Sequence, residues 1–317
     1  MKAVTIRDAK IFVDEQPDPE PGTGEVLVRV RAAGLNGADR MQVAGFYPPP
    51  PGSGVPADIP GLEVAGEVAA TGPNAGRFQP GDRVMGLVAG AGQAELAVLH
   101  ERQLMPVPDG FGWPEAGGFP EVFMTAYDAV VTQGGLRPGD RFLVHGAGGG
   151  VGTAAVQLGA IGGARVTATV RNPASHDTVR GLGAGQVIDP ADFAGHGPFD
   201  LILELVGAPN FAANLDSLAL RGRIVVIGVG AGAHAELDLH KLMQKRARVS
   251  ASTLRARPLE EKAALARELE RHVLPLAAAG RIRVPVAAVF GLDEAPRAYE
   301  FFAAGGKCGK VVLTMPG

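Results

Sequence analysis

The alternation of apolar and polar residues changes character about a third of the way along the chain. Before Gly118, apolar residues alternate with polar ones in short runs at 25–34, 63–72 and 82–88, separated by turn sequences such as PGTG and QPGD. Period-two alternation bounded by Gly and Pro is typical of antiparallel strands with one buried face. This part therefore predicts an all-β, barrel-like unit, in which residues 1–13 form one further alternating strand.

From Pro120 onward, continuous apolar strands alternate with amphipathic helices. The predicted strands are RFLVHG, ARVTATV, FDLILELVG and GRIVVIGVG. Strands of this kind are buried on both faces, as in a parallel sheet covered by helices. A long helix over 260–276 and a strand over 309–315 follow, and we expect this last part to rejoin the β unit. The predicted domains are 1–119, 120–256 and 257–317.

Composition and charge exclude several classes of protein. Apolar residues make up 46% of the 317 residues and charged residues 20%, which fits a folded chain of two domains. The net charge is −3 and the longest basic run is KRAR at 245–248, so we expect no nucleic-acid partner. The longest apolar stretches are about half of the roughly 20 residues that cross a bilayer. With no secretion signal at the N-terminus, a cytoplasmic protein without a membrane partner is expected.

The cysteine and histidine content bears on metal binding. The single cysteine, Cys308, allows neither a disulfide framework nor a cysteine-based zinc cluster within one chain. The seven histidines are scattered and show no paired helical spacing. We therefore expect no metal site.

A glycine-rich loop follows the first strand of the αβ part directly. The sequence GAGGGVG, residues 146–152, stands between the strand RFLVH and a helix. Glycines there allow a tight turn and let backbone N–H groups approach a pyrophosphate, which the positive end of the helix dipole also attracts. A ligand-free turn is the alternative, but a second strand at the expected distance favours a dinucleotide. The candidate contacts are Gly146, Gly149, Gly150, Val151 and Gly152.

The ends of the other strands indicate which dinucleotide is bound. An NAD site usually carries an acidic residue at the end of the second strand, whereas this position is Val170, followed by Arg171. A guanidinium can bind a 2′-phosphate with two hydrogen bonds, so the pattern favours NADP(H) over NAD. In the alternative, Arg171 is a solvated turn residue. Val206 and Gly207 end the fourth strand and Gly228 the fifth, at the edge where such sheets bind ligands.

Four stretches resemble the zinc-free quinone oxidoreductases of the medium-chain dehydrogenase/reductase superfamily. They are AAGLNGADRMQVAGFYPPPPG, IPGLEVAGEV, VHGAGGGVGTAAVQLG and STLRARPLEEK, spread over nearly the whole chain. The resemblance implies an α/β fold class: a Rossmann doubly wound parallel sheet plus a GroES-like β-barrel domain, with the active site in the cleft. It also implies a homodimer formed through the sheet edge near GRIVVIGVG.

The comparison with zinc-containing members of the superfamily supports a metal-free site. Those members carry a cysteine in the turn after the early strand, a histidine in a G-H-E motif, and a lobe with four more cysteines. Here the corresponding stretches read GLNGAD and GLEVAG, with Leu62 at the histidine position, and the lobe is absent. The ligand count is too low for catalytic zinc.

The resemblance also implies the residues beside the nicotinamide. Asn36 and Tyr47 would polarise the substrate oxygen by hydrogen bonds, and Thr125 would lie where a helix end approaches the ring. Alternatively, Asn36 is a turn residue with a left-handed backbone, and Tyr47 is an aromatic residue packed on the proline run that follows it.

Other family positions carry cofactor contacts. Leu254 and Arg255 match a segment that crosses the nicotinamide pocket, although Arg255 could instead be a surface cation. Lys307 stands where the family has an asparagine that contacts the cofactor. Ser175 and Pro190 replace a lysine and a tyrosine on the 2′-phosphate side, which leaves Arg171 as the main phosphate anchor.

The expected activity is an NADPH-dependent reduction of quinones or α,β-unsaturated carbonyls, because acceptors activated by hydrogen bonds alone must already be electron-poor. Two alternatives stay open. One is an enoyl-thioester reductase acting on CoA or carrier-protein esters. The other is a cofactor-binding protein without turnover, such as a redox sensor or an RNA-binding protein.

Overall fold

The computed structural model describes residues 1–316. The strands are β1 Lys2–Arg7, β2 Lys10–Glu15, β3 Glu25–Leu35, β4 Glu63–Thr71, β5 Arg83–Leu87, β6 Leu96–His100, β7 Leu104–Pro106, β8 Arg141–Val144, β9 Arg165–Thr169, β10 Gln186–Ile188, β11 Phe199–Glu204, β12 Leu218–Val226, β13 Arg248–Ala251, β14 Val286–Gly291 and β15 Lys310–Thr314. The helices are α1 Gly37–Val43, α2 Trp113–Gly117, α3 Pro120–Tyr127, α4 Gly150–Ile161, α5 His176–Arg180, α6 Phe211–Asp216, α7 Leu239–Lys245, α8 Leu259–His272, α9 Leu274–Ala278 and α10 Ala295–Ala304.

The chain forms two compact units. The first comprises Met1–Met124, Leu254–Gly305 and residues 309–316, and the second comprises Thr125–Thr253 and Gly306–Cys308. The boundaries expected from the sequence, at 119 and 256, stay a prediction.

The first unit is built on a seven-stranded sheet. Its order is β14-β15-β3-β4-β5-β7, with β6 paired to β3. Alternate residues of β3, namely Val26, Val28 and Val30, are buried in the core, as the period-two pattern predicts. Strand β15 runs antiparallel to β3, so the C-terminal strands and the N-terminal strands share one sheet.

The second unit contains a six-stranded sheet in the order β10-β9-β8-β11-β12-β13. All its strand pairs are parallel. Consecutive residues of β8, Phe142 to Val144, are fully buried because helices cover both faces. The strand order reverses between β8 and β11, which is where doubly wound sheets bind their ligands. The predicted Rossmann-type sheet is confirmed.

Two local expectations are wrong. One strand was expected over residues 1–13, but residues 2–15 form a hairpin of β1 and β2, because Asp8 and Ala9 turn the chain with φ of 49° and 55°. The helix expected over 260–276 ends at His272, and α9 begins anew with Pro275 near its start. The stretch GRIVVIGVG begins in β12, which pairs with β11 and β13, so the sheet edge near it is β13. The homodimer expected through this edge stays a prediction.

Across residues 1–316, no helix has both the length and the apolar character needed to cross a membrane.

Candidate active site

The glycine loop of the second unit forms a tight strand-to-helix turn. Strand β8 ends at Val144, Gly146 has φ +62°, and Gly149 is the N-cap of α4. A Cβ on Gly152 would lie 2.5 Å from the carbonyl oxygen of Gly146, closer than carbon and oxygen can approach. Only glycine therefore fits at Gly152, and the packing of α4 against the turn depends on it.

The start of α4 offers backbone donors to an anion. The first intrahelical hydrogen bond joins the Thr153 N–H to the Gly149 carbonyl at 2.8 Å, so the N–H groups of residues 150–152 precede the helical ladder. Helix α4 is 12 residues long and its dipole adds partial positive charge at this end. These donors and the open face of the turn fit the pyrophosphate of a dinucleotide.

Two neighbouring turns lie at the same edge of the sheet. Val206 and Gly207 follow β11, and their N–H groups donate to the carboxylate of Glu204 at 2.6 and 2.8 Å. Gly228 follows β12, and a Cβ added to Gly228 would lie 2.4 Å from the carbonyl oxygen of Leu205. The two turns are therefore in direct contact, and the Glu204 carboxylate orients the first of them.

Sequence reasoning missed Glu204, which is fully buried. Its carboxylate also accepts hydrogen bonds from the side-chain amides of Asn210 and Asn214, the latter at 2.6 Å. Asn214 in turn pairs with Nε2 of His145 at 2.7 Å. Burial lowers the pKa of His145, which favours the neutral ring. The available signal was the acidic residue inside the apolar run LILELVG, because a buried carboxylate needs several donors.

Replacing Glu204 with glutamine should disturb this turn, because an amide NH₂ would face the N–H groups that now donate to the carboxylate. We expect stability to fall by about 1.5–3 kcal/mol, the value of hydrogen bonds to a charged group. The affinity for a nicotinamide nucleotide should fall as well, measured by fluorescence titration. The exposed Glu300→Gln variant is the matched control. Unchanged stability and affinity in Glu204→Gln would contradict this role.

Val170, the residue before Arg171, and the backbone of Lys307 lie close to the glycine loop. Arg171 is exposed and directly follows Val170, whose side chain lies 3.8 Å from the position of a Cβ on Gly148. The carbonyl oxygen of Lys307 lies at the same distance from that position. The side chain of Asn172 holds the Lys307 segment by donating to the Gly306 carbonyl at 2.6 Å. The end of β9 and the Lys307 segment therefore both lie close to the glycine loop, and their contact with a cofactor stays a prediction.

Tyr47 lies in the first unit, just after α1, and is half-buried. Within the described residues 1–316, its hydroxyl has no hydrogen-bond partner, while the guanidinium of Arg255 lies 5.2 Å from its ring centre. Burial, and then the negative charge of Glu121, raise the pKa of the Tyr47 hydroxyl above its ordinary 10.0. The hydroxyl therefore keeps its proton at neutral pH and is available as a donor.

Asn36 is the N-cap of α1, with an extended backbone at φ −129°. The left-handed alternative is therefore wrong. Its amide nitrogen donates to Oε1 of Glu63 at 2.9 Å, and its amide oxygen accepts from Nζ of Lys310 at 2.7 Å. Both ends of the amide thus bind buried charged side chains, and its role as a substrate donor stays a prediction.

Glu63 and Lys310 form an ion pair of 2.6 Å with 0% and 2% of their side chains exposed. Lys310 also donates to the Leu35 carbonyl at 2.8 Å, and Oε2 of Glu63 accepts from the backbone N–H of Glu121 at 2.8 Å. The pair therefore joins β3, β4, β15 and the start of α3. Sequence reasoning missed it, although a charged residue at the start of each apolar strand was visible.

Asp39, which lies in α1, is another buried carboxylate of the first unit. It accepts from the backbone N–H groups of Asn36 at 2.7 Å and Gly61 at 3.1 Å. Burial raises its pKa from 3.8 to about 6. Because the folded-state pKa exceeds the unfolded one, the contribution of Asp39 to stability is present at acidic pH and is lost as the pH rises through about 6.

Three further predicted residues are buried. Thr125 is in α3 and is the first residue of the second unit, whereas Leu254 and Arg255 belong to the first unit. Arg255 is only 4% exposed, so the surface-cation alternative is wrong.

Among residues 1–316, no three His, Cys, Asp or Glu side chains are grouped closely enough to hold a metal ion. Leu62, at the position of the zinc-binding histidine, is buried in the first unit.

Two family models match the chain. The alcohol dehydrogenase GroES-like domain matches residues 22–134, and the model described as zinc-binding dehydrogenase matches residues 182–313.

Several curated proteins are similar over nearly the whole chain. A quinone oxidoreductase from Pseudomonas aeruginosa is 34% identical, with 95% of this chain and 94% of that protein covered. An acryloyl-coenzyme A reductase from Metallosphaera sedula is 31% identical, with 99% and 100% covered. The spectinabilin polyketide synthase system protein NorB from Streptomyces orinoci is 35% identical over 92% of this chain. The chain spans only 13% of the length of NorB and 8% of erythronolide synthase EryA2 from Saccharopolyspora erythraea.

Among solved structures, a quinone oxidoreductase from Pseudomonas syringae pv. Tomato superposes with a TM-score of 0.88 at 26% identity, with 99% of both chains covered. The predicted pairing of a GroES-like domain with a Rossmann-type sheet is confirmed, and this is the fold of nicotinamide-dependent dehydrogenases. The chain belongs to the medium-chain dehydrogenase/reductase superfamily of oxidoreductases.

Proposed function

We propose that this protein is an NADPH-dependent reductase that transfers hydride to quinones or α,β-unsaturated carbonyls without a metal. The observation that carries this proposal is the half-buried Tyr47 hydroxyl, which stays protonated and donates to no other described residue. The similarity of the chain to the quinone oxidoreductase of P. aeruginosa supports the same class of substrate.

Bound NADPH supplies the hydride, and a proton from the medium completes the two-electron reduction of a quinone to a hydroquinone. The chain itself supplies the polarising donor. As negative charge develops on the substrate oxygen, the Tyr47 hydroxyl donates a hydrogen bond to it. One such donor in a water-excluded site accelerates a reaction by about 10²–10³.

The preference for NADPH rests on Arg171, and its replacement tests this. Arg171→Glu should raise the dissociation constant of NADPH about 10- to 100-fold, the factor that corresponds to the free energy of hydrogen bonds to a charged group. The dissociation constant of NADH should change far less. Calorimetric titration of both nucleotides measures this. Arg137→Glu, an exposed site on the same unit, is the control for the charge change. Equal affinities before and after the Arg171 change would remove this residue from the 2′-phosphate site.

An enoyl-thioester reductase is the second candidate. Its support is the similarity to the acryloyl-coenzyme A reductase of M. sedula over the whole of both chains. Both candidates need an electron-poor acceptor, because the proposed activation uses hydrogen bonds alone.

A steady-state screen of NADPH consumption separates the candidates. We expect turnover with ortho- or para-quinones or with enals and enones, and equal rates before and after exhaustive chelation. Turnover confined to enoyl-CoA esters would favour the second candidate. Nucleotide binding without turnover in any arm would favour a redox sensor, and a chelator-sensitive rate would contradict the metal-free reaction.

A homodimer formed through β13 is part of the proposal. This edge strand and its surroundings expose apolar side chains, and an apolar cavity of about 400 Å³ opens beside them. The exposed residues are Leu220, Leu239, Met243 and Val249. A cytoplasmic location, and partners that include neither nucleic acid nor membrane, stay predictions from the sequence.

A further inference from the structure

We propose that Arg255 is a positioning residue that fixes the loop carrying Tyr47, rather than a contact of the cofactor. The Tyr47 loop is defined as residues 46–57. This inference rests on the proposed function, in which the Tyr47 hydroxyl activates the substrate.

The guanidinium of Arg255 has an acceptor for each of its three nitrogens. Nε donates to the Ala89 carbonyl at 2.6 Å, Nη1 to the Tyr47 carbonyl at 2.6 Å, and Nη2 to Oε1 of Gln42 at 2.7 Å. The same group lies over the Tyr47 ring, 5.2 Å from its centre. Backbone and ring of Tyr47 are therefore both held by one planar cation, a geometry that lysine cannot reproduce.

Gln42 extends this contact to the other end of the Tyr47 loop. Its amide nitrogen donates to the Ala57 carbonyl at 2.9 Å, while its amide oxygen accepts from Arg255. The loop between Tyr47 and Ala57 contains no helix or strand, and both Gly52 and Gly54 have positive φ. Because such a segment lacks internal hydrogen-bond ladders, contacts at its two ends decide its conformation.

Two neighbouring residues, Gly90 and Lys262, also determine the position of Arg255. A Cβ on Gly90 would lie 3.1 Å from Nη2, so the absence of a side chain at Gly90 makes room for the guanidinium. The buried Lys262 of α8 donates to the Arg255 carbonyl at 3.4 Å and so fixes its backbone. Since Arg255 is almost fully buried, water cannot replace the lost contacts when the guanidinium is removed.

The position of a polarising donor strongly affects the rate. A displacement of 1 Å can lower it about 10²-fold. Loosening the Tyr47 loop should therefore reduce kcat while the nucleotide, which we place on the glycine loop of the second unit, binds as before.

The test compares Arg255→Lys and Gln42→Leu with the exposed Arg281→Lys as the matched control. Both loop variants should lower kcat, Arg255→Lys by about 10²-fold, with the dissociation constant of NADPH unchanged. Amide hydrogen exchange over 46–57 should become faster in both. Tyr47→Phe should lower kcat by a much smaller factor in the Arg255→Lys background than in the original protein, because the hydroxyl is then already misplaced.

The outcomes are distinct. If Arg255→Lys weakens NADPH binding and leaves amide hydrogen exchange over 46–57 unchanged, the inference is overturned. Arg255 would then be assigned to contact with the cofactor. Additive losses from Tyr47→Phe and Arg255→Lys would also overturn it. If Tyr47→Phe alone leaves kcat unchanged, the proposed function of Tyr47 fails, and the exchange measurement still decides whether Arg255 holds the loop. Gln42→Leu decides the same question if Arg255→Lys does not fold.

Discussion

Replacing Lys310 with methionine is expected to lower the free energy of unfolding by about 3–5 kcal/mol, the cost of leaving a buried charge without its partner. The Glu63 carboxylate is fully buried, and Lys310 Nζ lies 2.6 Å from it. The same change would leave the amide oxygen of Asn36 without the hydrogen bond that it now accepts from Lys310. Chemical denaturation of the purified protein measures the loss.

Two variants control for the Lys310 prediction. Lys2→Met removes an exposed lysine paired with Asp293 and should leave the unfolding midpoint unchanged. Adding Glu63→Gln to Lys310→Met removes the orphaned charge and should restore part of the lost stability. If Lys310→Met were as stable as Lys2→Met, the ion pair would not be what joins β3, β4 and β15.

Tyr47→Phe is expected to lower kcat by about 10²–10³, because it removes one donor to the developing negative charge. The dissociation constant of NADPH should not change. Burial and the Glu121 charge hold the pKa of Tyr47 above 10.0, so the activity that depends on this proton should persist up to mildly alkaline pH. Stopped-flow measurement of NADPH oxidation with a quinone gives the rate of the hydride step.

Tyr299→Phe is the matched control for the loss of a tyrosine hydroxyl. The hydroxyl of Tyr299 is buried and donates to Gln93 at 2.9 Å, so this variant should lower stability and leave kcat near its original value. Equal kcat in Tyr47→Phe and the original protein would assign the polarising role to another group.

The features that the sequence predicted well are those encoded in consecutive residues. The glycine loop at 146–152 was predicted because one short run specifies the strand end, the turn and the helix start. The parallel sheet was predicted because continuous apolar runs of strand length alternate with helices. The break between α8 and α9 was also encoded locally, by Pro275, but the helical periodicity on both sides of it hid the signal.

The features that the sequence could not predict depend on distant residues. Glu63 and Lys310 begin separate strands, and only the pairing of β15 with β3, next to β4, brings them together. Arg255 reads as an ordinary cation in the run STLRARP, and its burial follows from acceptors on Ala89, Tyr47 and Gln42. The hairpin of β1 and β2 was missed because its turn at Asp8 and Ala9 has no glycine.

The most direct test of a nicotinamide-dependent reductase is a calorimetric titration of the purified chain with NADPH. We expect saturable binding of one NADPH per chain, retained in Gly195→Ala, where an added Cβ meets nothing within 4 Å. Binding should be lost or strongly weakened in Gly152→Ala, whose Cβ would lie 2.5 Å from the Gly146 carbonyl oxygen. No heat of binding with either NADPH or NADH, or equal binding by both variants, would contradict a cofactor held by the glycine loop.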